Sequence, residues 1–402
     1  MDARSPDGLG YGSFSAPVKG LSPRLPRIEG PLCVEIRRAG DMRAVTDAWR
    51  HLMPRALEPS VFAEPGFLLP ALQHLPEGRH VATLCVWQGP PEKSVLRGLF
   101  PVLAPRLSFA GRDVRIWRPP LSFGNAALVD GDFADAVLEA LVADLSDRGA
   151  ARLLFPQVPL QGNFAAVLRA FARRPQRPLE ILELNDSLQD GPTAEALDRP
   201  GPRIGSDRLW ERLSERGEVR IERAQEARAV RDAVEEFLVL EALARGSAAL
   251  IRDVGTASFV RTMTRELARS RRCRVDVMRI GGKPVAAAII LKSAQRAWLW
   301  KIACDDRLAA CAPDALLALE GARTRRKHMR LELGDACGLR HHPVVDHLRR
   351  ERTPCGDVLI PVRPAPAPTA QPLRASPGMV RTLRLIAQQA YAGLTRRRAL
   401  MP

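Results

Sequence analysis

The sequence predicts an α+β protein in which two domains of one fold, each with a mixed sheet, follow one another along the chain. A chain of 402 residues is long enough for two cores, because a single core stops growing near ~250–300 residues. A Gly/Pro-rich stretch at 191–205 interrupts the chain near its middle and is typical of a linker. On either side of it, predicted antiparallel strands precede a β-α-β run, which is the order of an α+β sheet.

The first predicted domain spans 33–190 and combines alternating apolar residues, typical of strands, with apolar residues at helical spacing. Gly/Pro turns join the segments 80–87, 95–104 and 113–118, so we expect these three strands to pair in order as a meander. The other predicted elements are strands at 33–38, 151–155 and 179–184 and helices at 41–53, 65–75, 133–145 and 163–172.

The second predicted domain spans 206–362 and repeats the order of the first. A Gly281-Gly282-Lys283 turn between two apolar strands indicates a hairpin. The repeated order predicts duplicated copies of one fold, related by pseudo-symmetry, with a cleft between them. The predicted elements are strands at 218–223, 273–280, 284–292, 296–303 and 328–333 and helices at 226–244, 257–270 and 313–325.

Three flanking segments are not predicted to join either core. Residues 1–32 are rich in Pro, Gly and Ser without periodicity, which predicts a disordered leader, and 363–378 is a Pro/Ala-rich spacer. In 379–402, apolar residues recur at helical spacing between arginines, which predicts a basic amphipathic helix. Such a helix is suited to the anionic inner membrane, to a membrane-bound synthase, or to the body of the protein itself.

The composition narrows the class of protein. No apolar stretch approaches the roughly 20 residues of a membrane span, and the N-terminus lacks a signal-peptide core, so we expect a cytoplasmic protein, peripheral to the inner membrane if the tail binds there. The net charge of +16 does not by itself predict a specific nucleic-acid partner, because only six of the 61 basic residues are lysines and such a skew is typical of a GC-rich genome. Seven scattered cysteines without a C-x-x-C pair predict reduced thiols and no metal site.

Three stretches resemble a known family: 61–75 (VFAEPGFLLPALQHL), 298–323 (WLWKIACDDRLAACAPDALLALEGAR) and 331–352 (LELGDACGLRHHPVVDHLRRER). Together with the order of elements they resemble the GNAT acyltransferase fold in tandem, as in Fem-type aminoacyltransferases. The stretches are most similar to the CelD-like, cellulose-biosynthesis-associated acetyltransferases. This resemblance implies transfer of an acetyl or other acyl group from CoA to an amine, on a small molecule or a sugar-linked acceptor.

The resemblance also implies a position for the CoA pyrophosphate. GNAT enzymes bind it where the fourth strand meets a helix, through the pattern R/Q-x-x-G-x-G/A, because free backbone N–H groups and the helix dipole favour an anion there. Here Arg307 and Ala312 match the pattern, Ala310 replaces its first glycine, and Cys311 lies between them. The alternative is an ordinary loop before a helix that begins with Pro313.

Candidate acid-base groups lie near the predicted ends of the same strands. Direct transfer needs a base for the acceptor ammonium, and we expect Asp335, after the strand 328–333, to supply it, with His342 as the second candidate. The alternatives are a turn cap for Asp335 and a solvated turn for His342. The only tyrosines are Tyr11 and Tyr391, so a tyrosine acid in either core is not expected.

Lys301 is the third candidate, on the strand that would line the acyl cleft. Simple alternation places Trp300 and Ile302 on one face of this strand, and Lys301 and Ala303 on the other. A lysine in an apolar run suggests pairing with a substrate anion or with Asp305; the alternative is a snorkelling side chain at the sheet edge. Glu64 resembles an acidic position of the family, but the residue pattern favours a helix cap.

Three functions remain open. The first is an acyl-CoA-dependent N-acyltransferase, and the second is a Fem-like aminoacyltransferase that uses charged tRNA, although no aromatic-rich basic stripe is visible. The third is a non-catalytic GNAT scaffold that binds a partner, which Ala310 and Asp314 in the predicted CoA loop favour.

Overall fold

Thirteen strands and eight α-helices are defined in the part of the chain that the computed structural model describes, namely 30–90, 93–104, 109–124, 126–173, 180–190, 200–293, 296–323, 330–334 and 351–362. The predicted leader, the predicted spacer and the predicted tail helix lie outside these residues, apart from the last residues of the leader. The strands are β1 Leu32–Arg38, β2 Val81–Gln88, β3 Val95–Leu103, β4 Asp113–Arg115, β5 Leu128–Val129, β6 Arg152–Pro159, β7 Glu180–Asp190, β8 Val219–Ala224, β9 Cys273–Ile280, β10 Lys283–Ser293, β11 Arg296–Cys304, β12 Arg330–Gly334 and β13 Glu351–Pro361.

Two of the helix ends have clear capping chemistry. The carboxylate of Asp253 accepts the N–H of Thr256 at the start of one long helix, and Gly246, with φ 54°, ends the helix before it. The helices are α1 Thr46–Leu52, α2 Pro65–His74, α3 Ala134–Asp147, α4 Asn163–Ala172, α5 Pro200–Ser214, α6 Ala227–Arg245, α7 Val254–Arg269 and α8 Pro313–Arg323.

Two sheets organise these elements. The smaller is antiparallel, with the order β1-β2-β3-β5, and the larger has the order β4-β6-β13-β7-β12-β11-β10-β9-β8. In the larger sheet β12 pairs antiparallel with β7, at Glu332 opposite Asp190, so the strands of both halves of the chain belong to one hydrogen-bonded sheet. Two neighbouring pairs, β11 with β12 and β4 with β6, run parallel.

The meander predicted in the first half is only partly formed. β2 and β3 pair as expected, but β4 pairs in parallel with β6 in the larger sheet and is joined to β3 only by the bridge between Val102 and Ile116. The prediction for this third strand is therefore wrong. The connection between β3 and β4 is too long to enforce a hairpin, which requires a loop of about two to five residues, so the chain can cross to the other sheet.

The structure contains one strand and one helix that were not predicted from the sequence. β13 lies between β6 and β7, so a strand from the end of the second predicted domain is hydrogen-bonded to strands of the first. Pro354 and Gly356 interrupt its alternation and its ladders contain bulges, which hides the strand signal. The helix α5 begins at Pro200, within the segment 191–205 that was predicted to be a linker.

A hydrophobic core cluster joins the halves of the chain. Phe67 of α2 and Phe259 of α7 meet edge to face with ring centroids 5.3 Å apart, and Phe62 contacts Trp298 of β11 in the same way at 5.4 Å. A Cβ added to Gly66 of α2 would lie 2.9 Å from the side chain of Leu267, so α2 and α7 are closely packed. Because apolar packing extends across this contact, the described residues up to Arg363 belong to one compact unit.

Candidate active site

The strand β11 positions the predicted site. It is buried along almost its whole length and pairs antiparallel with β10 on one side. On the other side it pairs in parallel with β12, from Arg296 opposite Arg330 to Leu299 opposite Leu333, and then continues to Cys304. The following loop, Asp305–Ala312, leads into α8, so the predicted CoA segment lies where a strand of the parallel pair meets a helix.

A β-bulge at Trp300 changes which side chains of β11 share a face. Leu299 and Lys301 oppose consecutive residues of β10, so Trp300 is the extra residue. Simple alternation placed Ile302 on the face of Trp300, and Lys301 and Ala303 on the opposite face. This is wrong for Ile302, because the extra residue reverses the alternation of the side chains that follow it. Ile302 packs in the same core cluster as Leu299, and Ala303 packs with Trp300. Lys301, two residues before Ala303, therefore lies on the Trp300 face.

Lys301 is largely buried at this end of β11, with 8% of its surface exposed. A buried ammonium group requires opposite charge or hydrogen-bond acceptors close by, because burial without them is costly. Asp305, the partner suggested by the sequence, is engaged by Arg307, whose Nε and Nη2 lie 2.9 and 2.7 Å from its two carboxylate oxygens. The part that Lys301 plays in catalysis stays a prediction.

The predicted CoA loop forms a short 3-10 helix, Asp306–Cys311, that is stabilised from its start. The carboxylate of Asp305 accepts the N–H of Arg307 at 3.0 Å. Cys311 and Ala312 are buried, whereas Ala310 is exposed. Ala312 has φ 44° and ψ 54°, the left-handed conformation that glycine adopts without cost, which fits the Gly/Ala position of the pattern.

Arg307 lies on the surface of this loop, with 85% of its side chain exposed. Its hydrogen bonds hold the pKa of the Asp305 carboxyl below its usual range. Ion pairs at such exposed positions contribute little to stability, so the guanidinium group can exchange a carboxylate for a phosphate at small cost. Arg307 is thus suited to the anchoring role that the pattern implies.

A cavity of about 250 Å³ lies beside the loop and is predominantly acidic. Glu241 of α6, 3% exposed, accepts the N–H of Leu250 at 2.8 Å and pairs with Arg245 at 3.4 Å. Asp306 and Asp314 contribute two further carboxylates to its wall. With three carboxylates and one guanidinium among its lining residues, the cavity attracts a cation and opposes an anion.

A loop from the first half of the chain contacts β11. The indole Nε1–H of Trp300 donates to the carbonyl oxygen of Leu121 at 2.7 Å, and the N–H of Ser122 closes a turn onto Pro119. Leu121 adopts φ 66°, a left-handed conformation that costs a side-chain-bearing residue of the order of 1 kcal/mol. The segment around Leu121 in the first half thus packs against β11.

Glu64 does not cap α2, although the residue pattern favoured that role. It occupies the N-cap position without a side-chain cap bond, and its Oε1 instead lies 3.1 Å from Nη1 of Arg272 and accepts the hydroxyl of Ser293 at 3.2 Å. Only 6% of Glu64 is exposed, and burial raises the pKa of its carboxyl despite the opposing effect of Arg272. The carboxylate therefore links the halves of the chain, a contact between distant segments that no local pattern indicates.

Two of the predicted catalytic residues, Asp335 and His342, lie outside the described residues. Among the described residues no group of three or more His, Cys, Asp or Glu side chains could hold a metal ion. In the same part of the chain, none of the helices combines the length and the hydropathy required to cross a membrane.

Comparison with known proteins decides the class of the second half. Residues 206–333 match the family model described as an acetyltransferase (GNAT) domain. The second half of the chain carries a GNAT acetyltransferase domain. The chain is accordingly an enzyme of the N-acetyltransferase class. No curated protein matches the chain.

Solved structures align with a larger part of the chain. FemX aligns with a TM-score of 0.50 at 10% identity, covering 78% of this chain and 95% of that one. The C-terminal domain of a putative lysylphosphatidylglycerol synthetase from Agrobacterium fabrum aligns with a TM-score of 0.46 at 10% identity, covering 79% of this chain and 91% of that one. A tandem GNAT protein from the clavulanic acid biosynthesis pathway aligns with a TM-score of 0.39 at 16% identity, covering 83% of this chain and 100% of that one. The predicted α+β fold class is confirmed by the described strands and helices, and a GNAT domain by the match at 206–333.

Proposed function

We propose that this GNAT enzyme transfers an acyl group from acyl-CoA to an amine, with the CoA pyrophosphate held at Arg307, Ala310, Cys311 and Ala312. The observation that carries the proposal is the conformation of that loop at the end of β11. It combines an exposed arginine, a left-handed residue at the Gly/Ala position of the pattern and the start of α8. Backbone N–H groups at such a helix start and an exchangeable guanidinium group favour a diphosphate.

The acidic cavity beside the loop supports an amine as acceptor. At neutral pH an amine arrives as an ammonium ion, and the carboxylates of Glu241, Asp306 and Asp314 favour that cation. The same carboxylates disfavour an anionic acceptor at this end of β11. We expect the CoA diphosphate to lie on the outer, Arg307 side of the loop, away from Asp314.

The chemistry requires two proton movements. The ammonium group first loses a proton to the proposed base, Asp335 or His342. The amine nitrogen then attacks the thioester carbonyl carbon, the C–S bond breaks and the thiolate leaves. As the amide forms, the nitrogen loses a second proton, which water relays to the thiolate in place of a tyrosine acid, since the only tyrosines are Tyr11 and Tyr391. We propose that Lys301 of β11 stabilises negative charge on the carbonyl oxygen.

The identity of the acceptor rests on the sequence. The three stretches that resemble CelD-like acetyltransferases support a sugar-linked amine in polysaccharide biosynthesis. The resemblance to Fem-type aminoacyltransferases, together with the alignment with FemX, supports aminoacyl transfer as the second candidate, and a non-catalytic scaffold is the third. Only acyl-CoA-dependent transfer requires CoA to bind at the loop.

Isothermal titration calorimetry with acetyl-CoA and longer acyl-CoAs tests the proposal. Arg307→Ala should weaken binding about tenfold or more, since a charge-assisted hydrogen bond contributes about 1.5–3 kcal/mol. The matched control is Arg220→Ala, because Arg220 also pairs with an acidic residue two positions before it and is 70% exposed. No binding by the wild-type enzyme, or equal binding by both variants, would contradict the proposal.

A further inference from the structure

A second cavity, of about 1180 Å³, lies where the first helices of the chain meet α7. Its walls come from the segment that contains Arg43 and α1, from α2, and from α7 with the residues that follow it. Ser293, at the end of β10, lies at its base. The cavity is therefore at the hairpin end of β11, whereas the Arg307 loop follows the other end, roughly 30 Å away for a nine-residue strand.

Arginines line this cavity on both sides. Arg43 and Arg50 lie seven residues apart on one wall, which is two helical turns, and Arg265 and Arg269 lie one turn apart on α7. Arg272 follows on the same wall as α7. We refer to these five residues and the space between them as the arginine cleft.

The ion pairs within the arginine cleft leave an excess of positive charge. Arg265 and Arg269 share one carboxylate, that of Glu266, at 3.9 and 2.8 Å. Arg43 donates to the neutral side chain of Gln73 at 3.0 Å. Arg50 pairs with Asp47 at 3.1 Å. The five arginines are thus offset by three carboxylates, those of Glu64, Glu266 and Asp47, and two cations one turn apart on a helix repel each other.

The base of the arginine cleft is rigid and holds Arg272 in place. The buried Glu64 carboxylate binds both Arg272 and Ser293, and the side chain of Arg272 remains 35% exposed. The close packing of α2 on α7 at Gly66 fixes the distance between the two walls. Guanidinium groups that approach one space from two sides fit a ligand with several oxyanion groups, because each can bind a phosphate through two N–H groups.

We propose that the arginine cleft is a binding site for a small molecule that carries a diphosphate group, separate from the CoA loop. A diphosphate presents more oxygen atoms than a monophosphate and can therefore be shared by more of these arginines. The volume exceeds what a bare diphosphate fills, so the rest of the ligand lies along α2 and α7. The proposal is independent of the acyltransferase chemistry.

Calorimetry of the full-length enzyme with inorganic pyrophosphate tests the site. We expect the wild-type enzyme to bind pyrophosphate more tightly than orthophosphate, and Arg265→Gln/Arg269→Gln to weaken pyrophosphate binding at least tenfold. The control is Arg220→Gln/Arg231→Gln, which removes the same charge from two exposed positions outside the cleft and should leave binding unchanged. Equal weakening in both double variants would show a non-specific effect of net charge and overturn the proposal.

Two further arms separate this site from other anion binding. Acetyl-CoA should bind Arg265→Gln/Arg269→Gln with the wild-type affinity; loss of acetyl-CoA binding together with pyrophosphate binding in this variant would mean that the cleft holds the CoA itself, which contradicts a second site. If acetyl-CoA does not bind, the acyltransferase proposal is refuted. The proposal of a diphosphate site in the arginine cleft is then still tested by pyrophosphate binding. If the cleft variant loses binding to phosphatidylglycerol vesicles while the wild-type enzyme ignores pyrophosphate, the cleft is a membrane contact and the proposal is wrong.

Discussion

At the scale of single residues, Glu64 shows how burial and charge compete. Its carboxylate accepts a hydrogen bond from Ser293 and pairs with Arg272, yet burial has the larger effect and raises its pKa above the usual value near 4.5. An acid whose pKa is higher in the folded than in the unfolded state takes up its proton first in the folded state. The folded state therefore gains stability from this group as the pH falls through the folded pKa toward the unfolded one.

Glu64→Gln should remove that gain. We expect the free energy of unfolding of the wild-type enzyme, relative to that of the variant, to rise as the pH falls from 7 toward 4.5, measured by urea denaturation at each pH. Glu218→Gln, at an exposed ion pair, is the control and should show no such trend. A wild-type enzyme that loses stability relative to Glu64→Gln over this range would show that Arg272, not burial, determines the pKa.

Around the candidate site, the sequence is informative where the signal is local. The pattern from Arg307 to Ala312 indicated a loop between a strand and a helix, and this segment lies between β11 and α8; its role in binding CoA stays a prediction. The face of Ile302 was mispredicted because a bulge at Trp300 depends on pairing with β10 and leaves no mark in the strand's own sequence. The arginine cleft was also missed. The arginines of its two walls lie more than 200 residues apart in the chain and come together only when α2 packs on α7.

At the scale of elements, the packing of α2 on α7 depends on a second glycine. A Cβ added to Gly255, at the start of α7, would lie 2.6 Å from the carbonyl oxygen of His74 at the end of α2. Helix propensity alone predicts that Gly255→Ala stabilises α7 by up to about 1 kcal/mol. The backbone contact opposes this, because overpacking typically costs about 1–3 kcal/mol.

We therefore expect Gly255→Ala to lower the free energy of unfolding by about 1–2 kcal/mol, measured by urea denaturation at neutral pH. The control is Gly40→Ala, where an added Cβ meets no atom within 4 Å and the effect should be neutral or slightly stabilising. Stabilisation by both substitutions would show that α2 and α7 do not pack as closely as the structure places them.

The strands of the second half were predicted within about two residues, because each is an apolar or alternating run bounded by Gly or by charged turns. β10, for example, was expected at 284–292 and spans Lys283–Ser293. β4 and β13 were not placed correctly, for a different reason in each case. β4 was recognised but assigned to the wrong sheet, since partner choice is non-local, and β13 is interrupted by Pro354 and Gly356.

At the scale of the whole molecule, the two halves are joined by a continuous sheet and a shared core. β13 is inserted between β6 and β7, β12 pairs with β7, and Glu64 binds Arg272 across the contact. The division into domains at 33–190 and 206–362 stays a prediction, and neither half has its sheet complete without the other. The CoA loop and the arginine cleft lie at opposite ends of β11 in this arrangement.

The central claim is that acyl-CoA binds where β11 meets α8. Amide hydrogen exchange of the full-length enzyme, followed by mass spectrometry with and without saturating acetyl-CoA, tests it directly. Slower exchange should be confined to peptides that cover Asp305–Leu316 and the end of β11, because bound phosphate oxygens engage the N–H groups of this loop. Unchanged exchange at Asp305–Leu316, with protection instead in peptides of α7 and Arg272, would contradict the account.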